Sequence, residues 1–90
     1  MTKRRSAETR KSRKARTAKF QGEYNTILER LITAREKAGL TQHEVSKMMG
    51  RAPNFMTRSE RGLRSIDVVE LIELAQIYGK PINHFFPNEH

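Results

Sequence analysis

The stretch TQHEVSKMMGRAPNFMTRSER, residues 41–61, decides the fold. It opens with Thr41 and Glu44, three residues apart. That spacing makes a capping box, in which each side chain satisfies the other residue's free backbone amide. Val45, Met48 and Met49 are expected to face inward, and Gly50 ends a first helix over 42–49. An isolated helix that short is unstable in water, so neighbours must hold it. A second helix is expected over 53–60, with Pro53 at its first position, where a missing amide costs nothing. Phe55 and Met56 can reach the core, and Gly62 ends the run. Only Gly50-Arg51-Ala52 separates the two helices. A turn of three to four residues containing glycine sets two helices at roughly 90–120°. Gly50 permits positive φ. Ser46 is small enough to let the second helix pass over the first, and Val45, Met49 and Met56 fill the angle between them. Braced in this way, the second helix has one face and its N-terminal end free to enter a DNA major groove.

Outward from this motif the chain remains helical. Upstream, Asn25 can cap a helix whose face is Ile27, Leu28, Leu31, Ile32, Arg35 and Ala38, ended by Gly39. Downstream, Asp67 and Glu70 form a second capping box, and Ile66 can meet Leu71 as a hydrophobic staple. Val68, Leu71, Ile72, Ala75 and Tyr78 continue the stripe to Gly79. A short last turn from Ile82 to Phe86 brings Phe85 and Phe86 either over the core or to a dimer surface. No strand pattern occurs, and 90 residues allow one domain. The expectation is an all-α, compact bundle of about five short helices, with residues 23–90 as the domain and residues 1–22 as a basic arm that is disordered or conditionally helical.

The net charge of +8 is unevenly placed. Lys3, Arg4, Arg5, Arg10, Lys11, Arg13, Lys14, Arg16 and Lys19 face one acid, Glu8, within residues 1–19, and these account for the whole excess. Residues 20–90 are balanced, nine cations against nine acids. The arm has no large apolar residue beyond Met1 and cannot bury anything. It supplies long-range attraction to a polyanion, while the domain must bind by local geometry. Phe20 or Tyr24 pins the arm to the core.

The runs 39–50, GLTQHEVSKMMG, and 54–62, NFMTRSERG, resemble the lambda-repressor/Cro-like helix-turn-helix family, often called the XRE family. The resemblance covers about residues 27–86. It implies a phosphate contact for Gln42, which also braces the recognition helix, and base-reading positions at Ala52, Pro53, Asn54 and Arg58. It implies a buried structural pair, Arg35 with Glu60, and phosphate contacts from Arg61 and Arg64. Ala52 stands where the family usually places a capping serine or threonine, Pro53 where a polar or basic reader is usual, and Ser59 where an aliphatic residue is usual.

Residue chemistry extends these roles. Arginine can bond guanine bidentately and asparagine adenine, each worth about 1–3 kcal/mol of discrimination. Arg58 follows Asn54 by one turn, so both lie on one face. Thr57 is near that face and is a further base-reading candidate; Arg51, in the turn, is a further phosphate candidate. Met48, Met49 and Met56 are expected in the core, and Phe55 either packs there or meets a thymine methyl. His43, His84 and His90 lack ligand spacing, and there is no cysteine, so no metal and no cofactor are expected. Neither paired carboxylates nor a nucleophile–base pair appears, so no enzyme is expected. No apolar run is long enough to span a bilayer, and no apolar segment follows the basic N-terminus as a secretory signal requires. The expected function is a sequence-specific DNA-binding transcriptional regulator, cytoplasmic and nucleoid-associated. It would bind double-stranded DNA as a homodimer with no small-molecule ligand. The alternative is an interaction or adaptor module that binds nucleic acid non-specifically through its arm.

Overall fold

Four α-helices and one 3-10 turn follow one another, with no strand among the described residues: α1 Thr2–Lys37, α2 Gln42–Met48, α3 Phe55–Glu60, α4 Val68–Tyr78 and the 3-10 turn Ile82–Phe85. The computed structural model describes the backbone of residues 2–87 and the side chains of residues 20–87. The side chains of the nine arm cations, and His90, lie outside the described residues. The observed fold is the all-α helical bundle that the sequence leads one to expect, built here from four α-helices and a 3-10 turn, with α1 much longer than the rest.

Helix α1 does not open at Asn25. Its backbone is helical from Thr2, with a break at Phe20, where φ is −110° and ψ 19°. Asn25 is an interior residue whose Oδ1 accepts a bond from Gln21 Nε2 at 2.8 Å, an i, i+4 pair instead of a cap. Tyr24 ties this end of the helix to the domain, its hydroxyl accepting from the Ile66 amide at 3.1 Å. Leu28, Leu31 and Ala34 are buried. Ala34 closes the inward stripe where Ala38 was expected. Ala38 is exposed because it falls in the turn beyond Lys37.

Helix α2 carries both bonds of its capping box: Glu44 N–H to Thr41 Oγ1 at 3.0 Å and Thr41 N–H to Glu44 Oε1 at 2.9 Å. It ends at Met48, with Met49 as its cap residue. Met48 is 58% exposed, contrary to the core position expected for it. At about 100° per residue, Gln42, Val45, Ser46 and Met49 share one stripe, and Met48 falls well to its side.

Helix α3 starts two residues later than expected, at Phe55. Pro53 and Asn54 form a turn, and Asn54 stands at the cap position without a side-chain cap bond. The reason is the absence of a capping oxygen at Ala52. A substitute comes from the neighbouring helix: fully buried Ser46 accepts the Met56 amide at 3.0 Å and donates to the Gln42 carbonyl at 2.9 Å. Ser46 therefore does more than leave room for the crossing.

Helix α4 begins with the second capping box, Glu70 N–H to Asp67 Oδ1 at 2.7 Å and Asp67 N–H to Glu70 Oε1 at 3.0 Å. Leu71, Leu74, Ala75 and Tyr78 face the core. Val68 and Ile72, expected on that stripe, are exposed. Val68 lies in the first turn at the rim of the bundle, and Ile72 lies well round the helix from Leu74 and Tyr78. All four α-helices end alike. At α2, Arg51 N–H reaches the Ser46 carbonyl and Gly50 N–H the Lys47 carbonyl, with Gly50 at φ 68°. This is a Schellman closure, which an L side chain at that glycine would strain. Phe85 is fully buried and so belongs to the core, whereas Phe86 is 41% exposed. Arg30 Nη1 holds this last turn on α1 through the carbonyls of His84 and Phe86, at 3.2 and 2.7 Å.

Two predictions follow from burial. Ser46→Ala leaves the Met56 amide buried without a partner and should cost about 1–3 kcal/mol in urea unfolding; a loss under about 0.5 kcal/mol would rule out the borrowed cap. The Tyr78 hydroxyl is buried with no hydrogen-bond partner among the described residues. Burial, and then the Glu60 carboxylate, push its pKa well up, with Arg35 working the other way. A phenol with a raised folded-state pKa contributes stability below the unfolded value, about 10, and that stability is lost as pH rises above it. Tyr78→Phe should therefore be neutral or stabilising by up to about 1 kcal/mol at neutral pH. It should also flatten the decline above about pH 10, as read from unfolding midpoints of both proteins across that range.

Candidate nucleic-acid interface

The interface rests on how α3 is held. Six residues cannot maintain a helix alone. Phe55 and Met56 are buried beneath it, 6% and 0% exposed, with Val45 filling the angle to α2. Polar contacts then fix its far end. Arg35 Nε meets Glu60 Oε2 at 2.8 Å and Arg35 Nη2 meets Glu60 Oε1 at 3.2 Å, a two-point contact. Arg35 Nη1 also donates to the Leu40 carbonyl at 2.9 Å. Gln42 Nε2 donates to Glu60 Oε1 at 2.7 Å, and Thr57 Oγ1 donates to Gln42 Oε1 at 2.9 Å. The Glu60 hydrogen bond raises the Arg35 pKa against the desolvation that would lower it.

A second polar cluster lies at the start of α3. Arg64 Nη1 and Nη2 reach Glu70 Oε1 and Oε2 at 3.0 and 2.9 Å, and Arg51 Nη2 reaches Glu70 Oε2 at 3.0 Å. Both guanidinium carbons lie over the Phe55 ring, 4.7 Å from its centroid for Arg51 and 4.5 Å for Arg64. Arg64 Nη1 also donates to Ser59 Oγ at 3.0 Å, and Ser59 donates to the Phe55 carbonyl at 2.8 Å. Burial works to raise the Glu70 pKa. Hydrogen bonds from Arg64 and the Asp67 amide, with the charges of Arg64 and Arg51, nevertheless hold it below the usual carboxylate range.

The outer face of the motif is left to solvent. Ala52, Pro53, Asn54, Arg58 and Arg61 are exposed. The Arg58 amide donates to the Asn54 carbonyl at 3.0 Å, so the two side chains emerge one turn apart. Neither Arg58 nor Arg61 forms an ion pair or side-chain hydrogen bond with a described residue. Thr57 is half-buried with its hydroxyl proton on Gln42, and Gln42 is turned toward Glu60 and Thr57. Arg51 and Arg64, expected on phosphate, have their guanidiniums on Glu70. Phe55 packs inward, which settles the alternative left open for it.

The Glu70 cluster is the part that sequence reading missed. The sequence marks Glu70 only as the residue that closes a capping box three positions after Asp67. The available signal was Ser59, a polar residue where the family pattern wants an aliphatic one. Its buried hydroxyl is matched by Arg64, and Arg64 by Glu70. Among the described residues no group of His, Asp or Glu side chains is placed to hold a metal ion, and no helix is long and apolar enough to cross a membrane.

Comparison with known proteins agrees with this geometry. A helix-turn-helix family model matches residues 31–85, more than half of the chain. No curated protein and no solved structure matches it. The matched span contains α2, α3 and α4, both polar clusters and the whole exposed row from Ala52 to Arg61. The chain belongs to the Cro/C1-type helix-turn-helix family of DNA-binding proteins.

Proposed function

We propose that this protein is a sequence-specific transcriptional regulator that places α3 in the major groove of double-stranded DNA. The observation that carries this reading is the Asn54–Arg58 row: two side chains with base-reading chemistry, exposed one turn apart at the cap and on the outer face of a helix that is fixed at both ends. Asn54 suits adenine and Arg58 guanine. Pro53 offers apolar contact at the entrance. Thr57, whose proton is engaged by Gln42, keeps acceptor capacity and a methyl group for the same surface. Arg61 and the turn residue Arg51 meet backbone phosphate. Gln42, with one amide hydrogen beyond the bond to Glu60, and Arg64 at the cluster's edge are the remaining phosphate candidates.

The arm adds a separate contribution. Its nine cations, Lys3 to Lys19, contact phosphate beyond the bases read by α3 and carry the charge that the domain lacks. The protein acts as a homodimer on a palindrome with half-sites about one helical turn apart, in the cytoplasm and associated with the nucleoid. An adaptor with non-specific nucleic-acid binding would instead show equal affinity for unrelated duplexes at matched salt.

Selection of duplexes from a random pool tests the reading. Asn54→Ala and Arg58→Ala should each relax preference at one base position by about 1–3 kcal/mol; unaltered preference across the library would remove them as readers. Deletion of residues 1–19 should shallow the salt dependence of affinity by about 0.9 log unit per phosphate released. An unchanged slope would mean that the arm does not touch DNA.

A further inference from the structure

The Glu70 cluster is separate from the Glu60 network that anchors the end of α3. Glu70 is 2% exposed, yet its carboxylate takes four contacts, from both Nη atoms of Arg64, the Asp67 amide and Arg51. Two guanidiniums against one carboxylate leave one positive charge over. The two arginines are not equivalent. Arg64 uses both Nη atoms on Glu70 and Ser59, and its side chain is 28% exposed. Arg51 uses one Nη atom on Glu70, and its side chain is 42% exposed. A guanidinium has five N–H donors, so most of those on Arg51 are unclaimed. They lie next in sequence to exposed Ala52, Pro53 and Asn54. The excess charge is therefore presented at the turn of the motif, on a side chain whose plane is set by the Phe55 ring and Glu70.

We propose that Glu70, two elements away from the turn, is a positioning residue that holds Arg51 against a DNA phosphate beside the bases read by α3. The phosphate is the counter-charge that the cluster lacks. Glu70 and Phe55 hold the guanidinium in one orientation before DNA arrives, so less side-chain freedom is lost on binding. This rests on the DNA-binding reading above and adds a residue that never touches DNA. It also accounts for Arg51 and Arg64 sharing a carboxylate: one arginine locks it, and the other is displayed by it.

The test uses the full chain and a duplex carrying its selected site, titrated at several salt concentrations. Arg51→Gln should weaken binding and lower the salt slope by about 0.9. The loss should be uniform across site variants, because a phosphate contact carries no sequence information; an arginine that merely braced α3 would alter base preference instead. Arg51→Lys keeps the charge but not the planar fork, and should lose roughly three- to tenfold in affinity. Glu70→Gln retains a side chain accepted in a capping box and removes one negative charge, so charge alone predicts tighter binding. Positioning predicts binding several-fold weaker, with no further loss when Glu70→Gln is added to Arg51→Gln. An unchanged slope in Arg51→Gln, or a folded Glu70→Gln that binds as well as the parent, overturns the proposal. If circular dichroism shows Glu70→Gln unfolded, Arg51→Lys decides, and undiminished affinity there overturns it. A parent chain that selects no duplex brings down the DNA-binding reading itself, and this proposal with it.

Discussion

The Glu60 carboxylate is the point on which the helix-turn-helix depends. It sits at the last residue of α3, 8% exposed, and receives Arg35 from α1 and Gln42 from α2. Three helices thus meet on one charged group. A buried carboxylate is costly unless paired, and removing one partner of such a pair typically costs about 3–5 kcal/mol. The two-point geometry fixes direction as well as distance. A six-residue helix packed only on Phe55 and Met56 could still rotate about its axis. Contacts from two other helices to its final residue oppose that rotation, and so they set which residues face outward.

The start of α3 is solved differently. Its own sequence gives it no side-chain cap, since Ala52 has no oxygen to offer and the Asn54 side chain makes no cap bond. The Ser46 hydroxyl, lent by α2, takes the Met56 amide instead. One consequence is that the Asn54 carboxamide is not spent on the helix. A serine or threonine that capped α3 in the ordinary way would have drawn the chain into helix earlier. Here the turn through Pro53 and Asn54 keeps both exposed beside Arg58.

Much of this was legible in the sequence, because the signals were local. Both capping boxes, the glycine closures and the three-residue junction depend on residues a few positions apart, and they placed four helices to within two residues except at the start of α1. The Arg35–Glu60 pair, 25 residues apart, was reached only through a family resemblance. Helix faces were less secure. Met48, Val68 and Ile72 satisfy apolar spacing as well as their buried neighbours do, and they are exposed because no element lies over them. Periodicity describes one helix, while burial depends on what packs against it. The Glu70 cluster was illegible for the same reason. Nothing between Arg51 and Glu70 marks them as partners, and the only trace was a serine at position 59.

The distribution of charge follows from these internal uses. Of the domain's cations, Arg30 is taken by carbonyl oxygens, Arg35 by Glu60, and Arg64 with part of Arg51 by Glu70. Side chains that hold a small helix in place cannot also generate a broad positive field. With residues 20–90 balanced, little unneutralised charge is left near α3 beyond Arg58, Arg61 and the remainder on Arg51. Such a surface suits short-range, directional contact and gives little attraction at distances beyond a Debye length, about 8 Å at physiological salt. The segment with no large apolar residue beyond Met1 is free of that constraint, and it is there, before Phe20, that the whole excess of positive charge resides. Under the proposed DNA-binding reading, directional contact and long-range attraction therefore fall to different parts of the chain, because the arginines that pair with Glu60 and Glu70 are already used inside the domain.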